Sequence, residues 1–474
     1  MNRFLFVLLI GLALACSPKE EKTPPEKPNF IVIVADDMGW SDLSCYGNDF
    51  IETPNIDRLA KNGMRFTNGY AAASLCSPSR ASLITGLHPV EANITIHIHG
   101  NHPARPSQQL KTPFIDQQLA LKHTTIAERL TVHDYNTGFV GKWHLGGGTF
   151  APHHRGFDVN IAGGYNALPN SFFYPFFRPG EKPEIQEEYG EGDYLTDVLT
   201  DKALSYLENQ KDSTFFLYMA YYSPHVPIEA KEALVEKYRQ KRGDKAADTT
   251  IMPNIHYAAM VESIDQNVGR ILEFVEKSGL SDNTVIIFTS DNGGLHVRSI
   301  PGFDKHTPPM SNAPLFSGKG FTYEGGVRVP FIAKWPDGPS GVTTDKPVVG
   351  FDLYNTIMET VGDSTRTTYG ASLLPIINQE EVPSRDIVWH SPHYTPQGQN
   401  PSSVVRSGDW KLIYYYESDA HELYDLANDP GESQNLAQQK PEKVEELRAI
   451  LNRQLEEMDA NLPEPNPDYV GDAQ

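Results

Sequence analysis

Two short pairs of oxygen donors, one cysteine-led string and several scattered basic residues carry the candidate chemistry of this 474-residue chain. Asp36-Asp37 closes the apolar run Phe30-Ile31-Val32-Ile33-Val34-Ala35, and Asp291-Asn292-Gly293-Gly294 closes the run from Thr284 to Thr289. Either pair alone reads as a turn or a helix cap. Two such pairs after apolar strands offer hard oxygen donors from distant parts of the chain, a set that suits calcium or magnesium better than zinc. Cys76-Ser77-Pro78-Ser79-Arg80 runs into Ala81 to Gly86 as a helix start, where unpaired backbone N–H groups welcome an anion. From Cys-x-Pro alone, a buried cysteine before a capped helix is the simpler reading. Lys142 and His144 lie in Gly141-Lys142-Trp143-His144-Leu145-Gly146, His225 in Ser223-Pro224-His225-Val226-Pro227, and Lys319 in Ser317-Gly318-Lys319-Gly320. A lone Lys or His is more often structural or solvated, so each takes its weight from the surrounding string.

These groups need a frame that brings them together. The run from Phe30 to Ala35 is continuous, apolar and β-branched, as in a strand covered on both faces, and similar runs recur at Thr137 to Val140, Thr214 to Tyr221 and Thr284 to Thr289. Helix-like stretches such as Tyr257 to Lys277 separate them, which predicts an α/β fold: a large, mostly parallel sheet sandwiched by helices. Polar residues follow each run, at the strand ends where open α/β sheets bind ligands. The Pro- and Gly-containing stretch from Trp335 to Lys346 stays within this first part, because Val348 to Val361 again reads as a strand edge and a helix. Composition shifts near Pro375 to Pro383. Beyond it, Trp389, Trp410 to Tyr416 and Glu422-Leu423-Tyr424 predict short antiparallel strands, and Pro441 to Met458 has helical spacing. The division expected is 29–375 for the catalytic domain and 376–474 for a smaller C-terminal α+β subdomain.

Hydrophobic residues at 39% and charged residues at 21% are those of a packed globular protein. A net charge of -21 repels polyanions, so nucleic acid is excluded as a partner and an anionic substrate must be captured locally. Arg3 and the apolar run from Phe4 to Ala15 form an export signal over 1–15, too short to span a bilayer. Ala13-Leu14-Ala15-Cys16 resembles a bacterial lipoprotein signal, with Ala13 in place of the usual leucine. Cys16 would then be lipidated, with 16–28 a polar linker and the membrane reached through that anchor only. The expected location is the outer membrane, facing the periplasm or the cell surface. A cleaved ordinary signal with a disordered linker is the plainer alternative. Three cysteines in an exported chain make no disulfide framework, and Cys45 reads as a free thiol without a mechanistic role.

Cys76, Pro78, Ser79, Arg80, Thr85 and Gly86 together resemble the signature of the type I sulfatases, a branch of the alkaline phosphatase superfamily. The resemblance runs from Asn29 to about Leu436 and takes in motifs independent of the cysteine string. It implies that a maturation enzyme oxidises Cys76 to formylglycine (3-oxoalanine), whose hydrate is the nucleophile, and that Arg80 supports it. It implies a calcium site, or a magnesium one, built from Asp36, Asp37, Asp291, Asn292 and the modified Cys76. Lys142 and Lys319 would hold sulfate oxygens, His225 with Lys319 would protonate the leaving oxygen, and His144 would act as base when sulfate is expelled. Glu324-Gly325-Gly326-Val327-Arg328-Val329-Pro330 would support the site without touching substrate.

Export and anchoring point to an extracellular sulfated polysaccharide or its oligosaccharides, with galactose-type units favoured by resemblance alone. Trp389-His390-Ser391-Pro392-His393-Tyr394 looks like a string of bacterial carbohydrate sulfatases, making His390 and His393 candidates for sugar binding; packing is an equal alternative. Two loops are also placed to read the sugar: His97, His99, His102 and Arg105, and then His296, Arg298, Lys305 and His306. A phosphodiester or phosphonate monoester hydrolase of the same superfamily is the nearest rival, opposed by Asn292 where such relatives tend to use histidine. A catalytically inactive glycan-binding surface lipoprotein is the second.

Overall fold

A computed structural model describes residues 27–243, 253–297 and 310–471. The segment expected to be an export signal, Cys16, nearly all of the expected linker, and Arg298, Lys305 and His306 lie outside the described residues. Among those described, no helix is long and apolar enough to cross a membrane.

The frame is an eight-stranded sheet. Its strands are β1 (Asn29–Ala35), β2 (Met64–Phe66), β3 (Asn136–Gly141), β4 (Val159–Ile161), β5 (Phe215–Ala220), β6 (Thr284–Ser290), β7 (Phe331–Lys334) and β8 (Val342–Thr344), in the order β8-β2-β7-β6-β1-β5-β3-β4. Only β7 runs antiparallel to its neighbours. Because side chains alternate along a strand, the continuous apolar run of β1 needs cover on both faces. Ile31, Ile33 and Ala35 pack against the helices Pro54–Lys61, Leu195–Gln210, Glu232–Arg242 and Ile255–Lys277. Phe30, Val32 and Val34 face the opposite layer, built on Cys76–Thr85, Ile126–Val132 and Asp352–Thr360. Phe30 to Ala35 are all at most 1% exposed, and burial of each large member is worth about 1.5–3 kcal/mol. The sandwiched, mostly parallel sheet expected from the sequence is present.

The C-terminal part carries an antiparallel sheet of β9 (Asp386–Ser391), β10 (Ser402–Ser407), β11 (Trp410–Tyr415) and β12 (Ala420–Asp425), in that order. One face receives Leu447, Leu451 and Leu455 of the helix Pro441–Glu457. The other packs Ile387, Trp389, Val404 and Ile413 on Tyr70, Ala72, Val327 and Val349, so the two parts share a core.

Candidate active site

Register decides what meets at the sheet edge. Ala35 of β1 pairs with Ser290 of β6, Val34 pairs with Ala220 of β5, and Ala220 pairs with Gly141 of β3. The next residues, Asp36, Asp291 and Lys142, therefore leave the sheet side by side. Gly141 has φ +109°, and a Cβ there would stand 1.8 Å from the Ala220 carbonyl oxygen. Only glycine allows the strand to turn so closely that the next N–H, of Lys142, reaches that oxygen at 2.8 Å.

Cys76 is the first residue of the helix Cys76–Thr85, preceded by extended Leu75 with no side-chain cap. Ser79 ties the entry by bonding both the N–H and the carbonyl of Ala73, and left-handed Gly86 ends the helix. Every residue of the helix is buried, and Cys76 is 5% exposed. Burial pushes the Cys76 thiol up despite Lys142 and Lys319, so as plain cysteine it stays protonated and is a poor nucleophile. One turn on, Arg80 donates to Asp291 at 2.8 Å and to the Lys142 carbonyl at 2.8 Å, and lies 3.3 Å from Asp36.

Opposite charges fill the floor. Lys142 Nζ donates to both Asp36 oxygens at 2.8 and 2.7 Å. Lys319 Nζ donates to Asp37 Oδ2 at 2.7 Å and to His225 Nε2 at 3.0 Å. Burial would raise the Asp36 carboxyl, but Lys142, His225 and Arg80 outweigh it and hold it below its ordinary value. Asp37 is likewise held low against burial by His225 and Lys319. For Asp291 burial prevails over Arg80, and its carboxyl rises. Burial also lowers His225, against the pull of Asp37, and holds His144 well below its ordinary value, aided by Lys142 and Arg80. His144 Nδ1 lies 3.3 Å from Ser77 Oγ, while its buried Nε2 has no hydrogen-bond partner among the described residues.

A metal ion fits these residues. Donor atoms of Asp36, Asp37, Cys76 and His225 lie within 4.8 Å of one another. Among the described residues the buried Asn292 Oδ1 has no hydrogen-bond partner, although Nδ2 of the same amide bonds Asp37 Oδ1 at 2.8 Å. An orphaned amide oxygen beside carboxylates offers a bound cation a further hard ligand. Asp291 Oδ1 accepts the Asp37 N–H at 3.1 Å, so it stands beside the cluster with Oδ2 taken by Arg80. Both His225 nitrogens are engaged, Nδ1 at 2.9 Å from the Val226 carbonyl and Nε2 by Lys319, which leaves an oxygen set for a hard ion. Asp36, Asp37 and Asp291 formally balance Lys142, Lys319 and Arg80, so a divalent ion turns the pocket net positive toward an anion.

The remaining candidates divide. His390 has both nitrogens occupied, by Ser403 Oγ at 2.7 Å and the Asn461 carbonyl at 3.1 Å, and so has no atom free for a sugar. His393 is buried and bonds Thr95 Oγ1 through Nε2 at 2.8 Å. His97 is half-buried, His99 and His102 are exposed, and His296 meets Ser317 Oγ at 3.3 Å. Sequence reasoning passed over Ser77 and Lys411. Lys411 is fully buried between Glu324 at 2.9 Å and Glu432 at 2.8 Å, and Glu324 also accepts from the Tyr70 hydroxyl at 2.7 Å. No periodic signal marks either residue. Cys45 is a half-buried free thiol.

Comparison with known proteins shows the family of the chain. The sulfatase family profile matches residues 28–363, and that of the N-sulphoglucosamine sulphohydrolase C-terminal region matches 315–461. A sulfatase of Formosa agariphila is 32% identical, covering 96% of this chain and 93% of its own. N-acetylgalactosamine-6-sulfatase of Rattus norvegicus is 34% identical over 77% of this chain and 68% of its own. The solved structure of Ps i-CgsB in complex with k-i-k-neocarrahexaose superposes with TM-score 0.73, at 28% identity, over 91% of this chain and 92% of that one. With the fold, the buried Cys76 and the cation-ready floor in agreement, the chain belongs to the sulfatase family and is a sulfuric ester hydrolase.

Proposed function

We propose that the protein hydrolyses sulfate monoesters on sugars of an extracellular sulfated polysaccharide or its oligosaccharides, using Cys76 matured to formylglycine and a bound calcium ion. The observation that carries this reading is the position of Cys76, at an uncapped helix start within 4.8 Å of the Asp36 and Asp37 oxygens. Asp36, Asp37, Asp291 and Asn292 would hold the ion beside residue 76. When present, ion and aldehyde hydrate supply a polarised hydroxyl aimed at sulfur. Lys142 and Lys319 neutralise the sulfate oxygens in a buried setting where fixed charge acts strongly. The Lys319–His225 pair delivers a proton to the departing sugar oxygen, and neutral His144 accepts one when sulfate leaves.

The carbohydrate reading is supported by the relatives named for sugar sulfates and by the hexaose held in the neighbouring structure. Export with a lipid on Cys16 would place the enzyme on the outer membrane, where such polymers are met. Mass analysis of the N-terminal peptide from membranes tests that anchor. The central experiment is a desulfation screen on defined sulfated oligosaccharides, with co-expressed maturation enzyme and Cys76→Ala as control. Sulfate release by the wild type alone is expected; turnover of phosphate diesters without any sulfate ester would overturn the reading.

A further inference from the structure

The chain after the nucleophile helix hangs from the reaction centre itself. The N–H of Ile98 donates to Ser77 Oγ at 3.0 Å, the hydroxyl that faces His144. One residue earlier, the half-buried His97 ring makes no hydrogen bond among the described residues. Three residues before Ile98, Thr95 Oγ1 meets His393 Nε2 at 2.8 Å, which fixes the loop to the C-terminal part. A second segment reaches the same rim: the Gly164 carbonyl accepts the His144 N–H at 3.0 Å, and Tyr165 beside it is 50% exposed. The Tyr165 ring stands edge-on to His99 with centroids 4.5 Å apart, its hydroxyl 3.1 Å from Nδ1.

These groups have the character of a sugar site. Burial, then Lys319, His102, His99 and Lys142, pushes the His97 imidazole down to about 4. At neutral pH it therefore offers one donor and one acceptor, which match a ring hydroxyl rather than the sulfate. Tyr165 adds an exposed aromatic ring with a polar tip, suited to the mixed apolar and hydroxylated faces of a pyranose.

We propose that His97 and Tyr165 form the subsite for the sugar ring bearing the scissile sulfate, with His97 reading a ring hydroxyl and His393 a positioning residue acting through Thr95. This rests on the sugar-sulfatase function above. A site built to bond a hydroxyl discriminates strongly once that bond is lost.

The test compares the matured full-length enzyme on sulfated galacto-oligosaccharides and on 4-nitrophenyl sulfate. His97→Ala and Tyr165→Ala should each raise the oligosaccharide KM, and lower its kcat/KM relative to that of the aryl ester by about tenfold or more. His393→Ala should shift the same ratio in the same direction. His393→Gln, whose amide still reaches Thr95, should restore it, which a general loss of packing would not show. Equal losses on both esters, or an unchanged oligosaccharide KM, overturn the proposal. If the wild type cleaves only the aryl ester, the sugar reading fails and takes the subsite with it. If it cleaves the sugars and the variants match it, the subsite alone is wrong.

Discussion

Lys319 Nζ lies 3.0 Å from His225 Nε2, and that contact fixes where the proton of the pair resides. A carbonyl only accepts, so His225 Nδ1, 2.9 Å from the Val226 oxygen, carries the ring hydrogen. Nε2 is then the acceptor, and the mobile proton of the resting pair is on the Lys319 ammonium. In the proposed reaction histidine and lysine would act as one acid, with Asp37 at 2.7 Å keeping the lysine charged.

A shared acid matters in proportion to the poverty of the leaving group. His225→Ala should lower kcat about 10²–10⁴-fold on sugar sulfates and far less on 4-nitrophenyl sulfate, whose phenolate departs without help. This is a kcat effect, distinct from the KM effect expected at His97. Steady-state kinetics on both esters measures it, and equal losses would exclude an acid role.

Burial, with Lys142 and Arg80 close by, holds His144 far below its ordinary value of 6.5. A base works when neutral, so activity persists as pH falls through the usual imidazole range and declines only at the lowered value. The kcat–pH profile should show its acid limb below that range in the wild type. A limb centred near about pH 6.5 would assign it to an ordinary exposed histidine.

Chelation should abolish sulfate release without unfolding the chain, because Lys142, Arg80 and Lys319 already compensate the carboxylates. Calcium should restore turnover and raise the thermal midpoint, since an ion bound only by the folded state stabilises it. Zinc should restore less, lacking nitrogen or thiolate ligands. Metal analysis with a thermal melt reads both effects, and full activity in rigorously metal-free enzyme would contradict the site.

Gly141→Ala brings a methyl group onto the Ala220 carbonyl at a backbone angle closed to alanine. A cost of about 1–3 kcal/mol is expected from the strain. Lys142 moves with it, so kcat should fall as well. Denaturant unfolding and kinetics on the same preparation test the pairing; a stable variant with normal turnover would show that the turn relaxes freely.

Lys411→Met leaves Glu324 and Glu432 facing each other in the core and should cost about 3–5 kcal/mol. In the wild type, burial, resisted by Lys411 and reinforced by Glu324, raises Glu432 from 4.5 to about 7. The folded state therefore binds the extra proton between those values, and this group's contribution to stability declines as pH rises across them. The variant's deficit should grow in the same direction, as followed by unfolding at several pH values. A constant deficit would rule out charge as its cause.

The strands were legible because a sheet covered on both faces demands long β-branched runs, and β1 and β6 have them. The Asp36-Asp37 and Asp291-Asn292 pairs that end them were legible as oxygen donors. Pairing was not: the Ala35–Ser290 register that sets Asp36 beside Asp291 joins residues 255 apart, and nothing local encodes it. His390 looked like a sugar ligand from its string, yet the Ser403 and Asn461 contacts that occupy it arise only in the folded chain. Lys411 was invisible for the opposite reason, since a lysine in a short strand reads as solvated until two distant glutamates close over it.

Cys76 ends up walled in, its whole helix buried within the layer that covers the main sheet. Any catalyst that must grip that side chain loses its opportunity once the walls close. If Cys76 is matured as proposed, the share of competent molecules in a preparation would be settled by a race between tailoring and folding, and a molecule that folds first would be stranded with its thiol.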